Sequence, residues 1–266
     1  MIRDITLGQF FPGTSPLHRL DPRMKIVLLF AFIVTIFCAF NFVSLALMAA
    51  AVISIVLMSG VPFKLYLKSL KMIIFVVIFT SILNLFYGTG EPIWQFGILK
   101  ITADGISNSI FVVVRIISLI LVSSCLTFTT SPTDLTDALE RLMKPLSVFH
   151  IKVHEIAMMM TIALRFIPTL LEETDKIMQA QKARGADMES GKLMQRIKAL
   201  IPVLIPLFVS AFRRAYELAT AMECRCYQGG SGRTRMKSLH LKPFDFICMS
   251  VVILLIAAVI LCNIIL

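Results

Sequence analysis

The chain has 266 residues, 58% of them hydrophobic and 16% charged, where soluble domains average about 45–50% apolar and about 25% charged. This balance excludes a soluble enzyme as the default and makes lipid the solvent for much of the chain. The 26 Lys+Arg against 16 Asp+Glu give a net charge of +10. In a membrane protein such an excess marks cytoplasmic loops, and no nucleic-acid motif accompanies it.

In chain order, four apolar runs at residues 24–40, 42–59, 70–87 and 106–128 are long enough to cross ~30 Å of hydrocarbon, and a fifth, 246–266, closes the chain. The first two are separated only by Asn41 and read as a helical hairpin. Lys68 and Lys71 at the start of the third can snorkel to the headgroups. Arg115 stands inside the fourth, roughly 15 Å along its helix. It is either an intramembrane functional group or a structural one, paired with a neighbouring helix or snorkelling.

Basic residues set the expected topology. Arg3, Arg19, Arg23 and Lys25 precede the first span and Lys64, Lys68 and Lys71 precede the third, whereas Lys100 is offset by Glu91 and Asp104. The N-terminus is therefore expected in the cytoplasm and the C-terminus outside. The six scattered cysteines show no disulfide-framework spacing.

Residues 131–245 differ from the rest, with 17 of the basic and 12 of the acidic residues. They read as a cytoplasmic or interfacial module. Its runs 156–164 and 199–212 are short for spans, and both belong to amphipathic patterns. Ile156, Met160, Leu164, Ile167 and Leu171 form one stripe, and Met194, Ile197, Ile201, Leu204, Phe208 and Phe212 another. The fold class is thus an all-α integral membrane protein with five spans and a module of long amphipathic helices. Nine of the 15 methionines fall in this module, including Met158, Met159 and Met160, and such side chains suit either a core or a multi-partner surface.

Two segments of the module match each other. Arg184 in Ala183-Arg184-Gly185 and Arg225 in Cys224-Arg225-Cys226 each fall near the end of a long helix, before glycine. Glu172 and Glu173 precede Arg184 by twelve and eleven residues, and Arg213 and Arg214 precede Arg225 by the same distances. If the helices pack together, these opposite charges can meet. On periodicity alone, each terminal arginine also reads as a cation favoured at a helix C-terminus.

Those two segments resemble the paired X-Arg-X motifs of the transmembrane T component of energy-coupling factor transporters. The run Ser15-Pro16-Leu17-His18-Arg19-Leu20-Asp21-Pro22-Arg23-Met24-Lys25 is similar to that family's opening signature. The resemblance implies a non-catalytic scaffold in a prokaryotic cell membrane. Its implied partners are two cytoplasmic ATP-binding-cassette ATPases, expected as a heterodimer, and exchangeable membrane-embedded S components that bind a vitamin or other micronutrient. ATP and Mg would be used by the ATPases, with no cofactor on this chain. The motifs would place Arg184 and Arg225 in grooves of the two ATPases, flanked by Ala183, Gly185, Cys224 and Cys226. Small residues such as Ala or Ser usually precede the family's second arginine, so Cys224 is a departure.

Other signals are weaker. The glycine-rich run 229–234 lacks the spacing and lysine of a phosphate loop. Cys224 and Cys226 alone do not complete a tetrahedral metal set, and His150 with His154 offers two ligands at most. A stand-alone solute permease would need more polar spans, and an intramembrane enzyme a paired nucleophile and base. A T component dedicated to one S component, such as a transition-metal or biotin importer, is the nearer alternative.

Overall fold

Proline and asparagine punctuate the first long helices. A computed structural model describes residues 10–86, 92–96, 99–186, 193–229 and 239–265; Arg3, Glu91, Lys192 and most of the glycine-rich run 229–234 lie outside them. After a single turn, α1 (Pro16–Arg19), Asp21 caps α2 (Pro22–Cys38), its side chain accepting from the Arg23 amide with Pro22 at the first helical position. Asn41 and Ser44 form a reciprocal capping box that starts α3 (Phe42–Ser59), and Gly60 ends it in the left-handed region. The expected close turn between α2 and α3 is present, but the two helices pack mainly on α5 and α9 rather than on each other.

Next come α4 (Phe63–Phe86), an antiparallel hairpin of β1 (Pro92–Phe96) and β2 (Leu99–Thr102), and α5 (Ala103–Thr129). Then follow α6 (Pro132–Met143), a 3-10 segment at Lys144–Phe149, α7 (Val153–Ala183), α8 (Leu193–Cys224) and α9 (Pro243–Ile265). Helices build the architecture throughout. The sequence reading passed over the β-hairpin although β2, Leu99-Lys100-Ile101-Thr102, alternates apolar and polar residues, because a four-residue run is a weak signal beside the long apolar spans.

Two compact units result, Gly8–Ala138 with Ser238–Leu266, and Leu139–Lys237. The first packs α2, α3, α5 and α9 around Phe32, Ile36, Met48, Val52, Val122, Val252 and Val259. A second cluster joins Val56, Tyr66, Cys125 and Phe128, where the Tyr66 hydroxyl donates to Ser59 Oγ at 3.0 Å and its ring meets Phe128 edge-on. Small residues bring α4 against α5. A Cβ on Gly105 would stand 2.6 Å from the Leu85 carbonyl oxygen, and the Ser81 and Ser109 hydroxyls are 2.6 Å apart. Gly105 and Ser109 are four residues apart, the small-xxx-small spacing that lets membrane helices approach.

Helix limits differ from the sequence reading in a patterned way. Lys64, Lys68 and Lys71 lie within α4, which starts at Phe63, leaving Gly60 to Pro62 as the connection. The helices long and apolar enough to cross a membrane among the described residues are α3, α4, α5, α7 and α9. At 17 residues, α2 is about 25 Å long, a short span. The short runs expected within the second unit are parts of continuous helices of 31 and 32 residues that pass through Pro168, Pro202 and Pro206. The apolar part of α7 ends at Leu171, because Glu172, Glu173, Asp175 and Lys176 follow it.

Candidate functional site: two arginine-tipped helices

The ends of α7 and α8 are built alike. In α7 the Gly185 amide donates to Lys182 O at 3.0 Å and the Ala186 amide to Gln181 O at 3.0 Å. In α8 the Cys226 amide donates to Glu223 O at 2.8 Å and the Tyr227 amide to Met222 O at 3.0 Å. Both are Schellman motifs, with Arg184 and Arg225 at the same capping position. The next residue takes positive φ in each, 86° at Gly185 and 55° at Cys226. The third residue of each X-Arg-X segment is therefore the one that turns the chain. Glycine does so without strain, and cysteine at roughly 1–2 kcal/mol.

Both arginines are exposed, as are Ala183, Cys224 and Cys226. Each end thus presents a guanidinium, a rigid fork of donors suited to a carboxylate.

The expected charge pairing occurs in one of its two forms. Arg214 donates to Glu173 Oε2 through its terminal nitrogen at 2.9 Å and through Nε at 3.2 Å, and the Ser210 hydroxyl donates to the other carboxylate oxygen. The Ser210 hydrogen bond, then the Arg214 guanidinium, hold this carboxyl below its usual range. Glu172 and Arg213, which the structure does not bring into this pair, are exposed. Further along, Gln181 donates to the Pro202 carbonyl at 3.4 Å. That oxygen would normally accept from residue 206, but Pro206 has no amide hydrogen.

These two contacts fix the direction of packing. Residue 173 meets 214 and residue 181 meets 202, so α7 and α8 run antiparallel past each other. From the ion pair, Arg184 lies eleven residues along one arm and Arg225 eleven along the other, about 16 Å each. The tips point away from the crossing in opposite directions, related by an approximate two-fold.

Arg115 has a structural partner. Its terminal nitrogen donates to the Ala39 carbonyl at 3.1 Å, at the end of α2, and its guanidinium lies 5.6 Å from the Phe37 ring centre. Its Nε is buried without a hydrogen bond. The same turn is held by Asn263 of α9, which donates to the Cys38 carbonyl, and by the Phe42 and Phe111 rings, 4.7 Å apart. Because Arg115 is the thirteenth residue of α5, the tip of the α2–α3 hairpin lies about 18 Å below the start of α5. Hydropathy alone could not reveal this step.

The opening run forms a clasp. The Ser15 hydroxyl is 2.6 Å from His18 Nδ1 and His18 Nε2 is 2.9 Å from the Phe11 carbonyl oxygen. Asp21 takes a bidentate pair from Arg23, and the Asp21 amide donates to Asp245 of α9 at 3.0 Å. Asp245 also accepts the Lys242 amide at 2.6 Å. Sequence reasoning passed over Asp245; its signal was an acid directly preceding an apolar span, two residues after Pro243.

Elsewhere His154 pairs with Glu140 at 3.0 Å rather than with His150. Among the described residues no three of His, Cys, Asp and Glu gather as a metal set.

A model of a family described as cobalt transport protein, CbiQ, matches residues 13–237. The chain is 52% identical over 261 residues, 98% of each chain, to the energy-coupling factor transporter transmembrane protein EcfT of Ruminiclostridium cellulolyticum. It is 50% identical to the same protein of Thermosediminibacter oceani, covering 92% of each chain, and 48% identical to that of Bacillus subtilis, covering 90% of this chain and 91% of the relative. The chain belongs to the family of energy-coupling factor transmembrane T components. As a member of that family it is a multi-pass membrane component of a transporter. Both arginine-tipped helix ends, and Ser15, His18, Asp21 and Arg23 of the opening clasp, lie within the stretch that the family model matches.

Proposed function

We propose that this T component transmits ATP-driven closure of two cytoplasmic ATP-binding-cassette ATPases to a membrane-embedded S component that carries a vitamin or other micronutrient. Arg184 and Arg225 each enter a groove on one ATPase. The N-terminus and residues 131–245 face the cytoplasm, and the C-terminus lies outside. ATP and Mg act on the partners, and this chain supplies the mechanical link.

The observation that carries this reading is the pair of exposed arginines at equivalent capping positions, on opposite arms of one antiparallel crossing. Two like sites with approximate two-fold relation suit a dimer of ATPases. When that dimer closes, the tips are drawn toward each other and the crossing turns about Glu173 and Arg214. The apolar stripe of α8 moves with it. That stripe is open rather than packed, with Met194 63%, Phe208 62% and Phe212 72% exposed, and it offers the S component an apolar track.

Arg184→Ala and Arg225→Ala should each reduce ATPase co-purification and solute uptake, and the double variant should abolish uptake. Wild-type uptake by the double variant refutes the assignment. A second reading is a transporter dedicated to one metal-specific S component, favoured by the description of the matching family as cobalt transport protein. Affinity purification in mild detergent separates the two, since a shared scaffold yields several S components and a dedicated one a single kind.

A further inference from the structure

The membrane unit contains a cavity of about 500 Å³ at the end where α2 and α9 begin and α3 and α5 finish. Leu28 and Phe32 of α2, Ile55 of α3, Val122 of α5 and Val251 and Leu255 of α9 are among its walls. Packed interiors keep few voids larger than a water molecule, and sites that hold organic ligands fall at about 300–1,000 Å³. Val251 and Ile247 on its α9 wall and Met58 of α3 are also exposed on the outside of the bundle. In a bilayer, the surrounding medium at that wall is lipid tails.

One charged group breaks the mostly apolar lining. Lys25 lines the cavity and is 8% exposed. Its ammonium donates to the Thr129 carbonyl at 2.8 Å and to the Thr130 hydroxyl at 3.1 Å. Both acceptors are neutral, an ammonium carries three donors, and the ion pairs among the described residues do not include Lys25. The Asp134 and Asp21 carboxylates act on it from beyond ion-pair distance, and a buried cation without a contacting anion is costly. The nearby Arg23 guanidinium is already committed to Asp21.

We infer that this cavity is a binding site for one anionic phospholipid, whose acyl chain fills the apolar volume while its phosphate accepts the third hydrogen of Lys25. The lipid would then tie the start of α2 to the end of α5 through an ion pair that the described residues do not complete. Both halves of the ligand are specified on chemical grounds: tails by the carbon walls, negative charge by the ammonium. This proposal does not depend on the coupling role of Arg184 or Arg225.

Native mass spectrometry of the full chain in mild detergent, with equal amounts of dioleoyl phosphatidylglycerol and dioleoyl phosphatidylcholine, tests it. One phosphatidylglycerol should be retained per chain, preferred by about fivefold, the worth of one lysine facing an anionic lipid. Lys25→Met should erase the preference. Ala51→Phe, which fills the cavity from α3 and leaves Lys25 in place, should displace both lipids. Equal retention of the two lipids by the wild-type chain overturns the inference, and that comparison needs no variant. Undiminished retention in a folded Ala51→Phe chain, or recovery of a different occupant in place of lipid, overturns it as well.

Discussion

Glu173 of α7 and Arg214 of α8 form an ion pair of 2.9 Å, and each lies eleven residues before an exposed arginine that caps its helix. The pair is the point about which the two arms are arranged. Both partners are partly exposed, so its strength is that of a surface pair. A double-mutant cycle with Glu173→Gln and Arg214→Met should give a coupling energy of about 0.2–1 kcal/mol. The Glu173 carboxyl is held below its ordinary value. Its contribution is therefore complete above about pH 4.3, the unfolded value, and fades as the pH falls through the depressed one. Thermal melts of the wild type and Glu173→Gln across pH 3–7 should converge at the acid end; a constant gap would contradict this.

The two Schellman ends predict opposite responses to substitution. A Cβ at Gly185 meets nothing within 4 Å, so its φ of 86° alone makes a side chain there unfavourable. Gly185→Ala should lower stability by about 1 kcal/mol, and Cys226→Gly, which relieves a φ of 55°, should raise it by up to about 1 kcal/mol. Differential scanning fluorimetry of both variants reads the sign directly.

Gly105 lies where α5 closely approaches the backbone of α4. Gly105→Ala would put a methyl 2.6 Å from the Leu85 carbonyl oxygen and force the helices apart, at about 1–3 kcal/mol. Gly105→Ser should be at least as damaging. A cysteine crosslink between positions 81 and 109 should form efficiently in the wild-type background and poorly in Gly105→Ala.

Arg115 acts as a cap for α2 in the structure. Arg115→Met would leave the Ala39 carbonyl without its donor while keeping most of the apolar stem, costing about 1–3 kcal/mol. The loss should appear as faster hydrogen exchange at the α2–α3 turn. If uptake falls while exchange there is unchanged, Arg115 contacts a partner or solute instead.

Much of the membrane unit was legible because lipid imposes a simple rule. Apolar runs of sufficient length became α3, α4, α5 and α9, and Asn41 marked the hairpin turn. The rule was less informative for α7, whose apolar first part is broken by Arg165 and then joined to a charged second part. Counting only the uninterrupted run 156–164 makes it short, whereas the helix continues across the arginine and Pro168 and is apolar enough over a longer stretch to cross a membrane. The β1–β2 hairpin and the closeness of α4 to α5 depend on pairing between segments, which local pattern does not contain.

By itself, the sequence determined that this is a membrane protein of helices, where most of its charge is concentrated, and that two arginines stand at matched helix ends. Those properties are local, set by composition, period and capping residues within a turn or two. Tertiary structure alone decided that Glu173 meets Arg214 while Glu172 and Arg213 stay apart, that Arg115 serves the end of α2, and that Lys25 borders an apolar cavity. Offsets of eleven and twelve residues were equally compatible with pairing along the chain. Only the antiparallel crossing selects one, because a helix turns about 100° per residue and so presents one of two adjacent side chains to its neighbour.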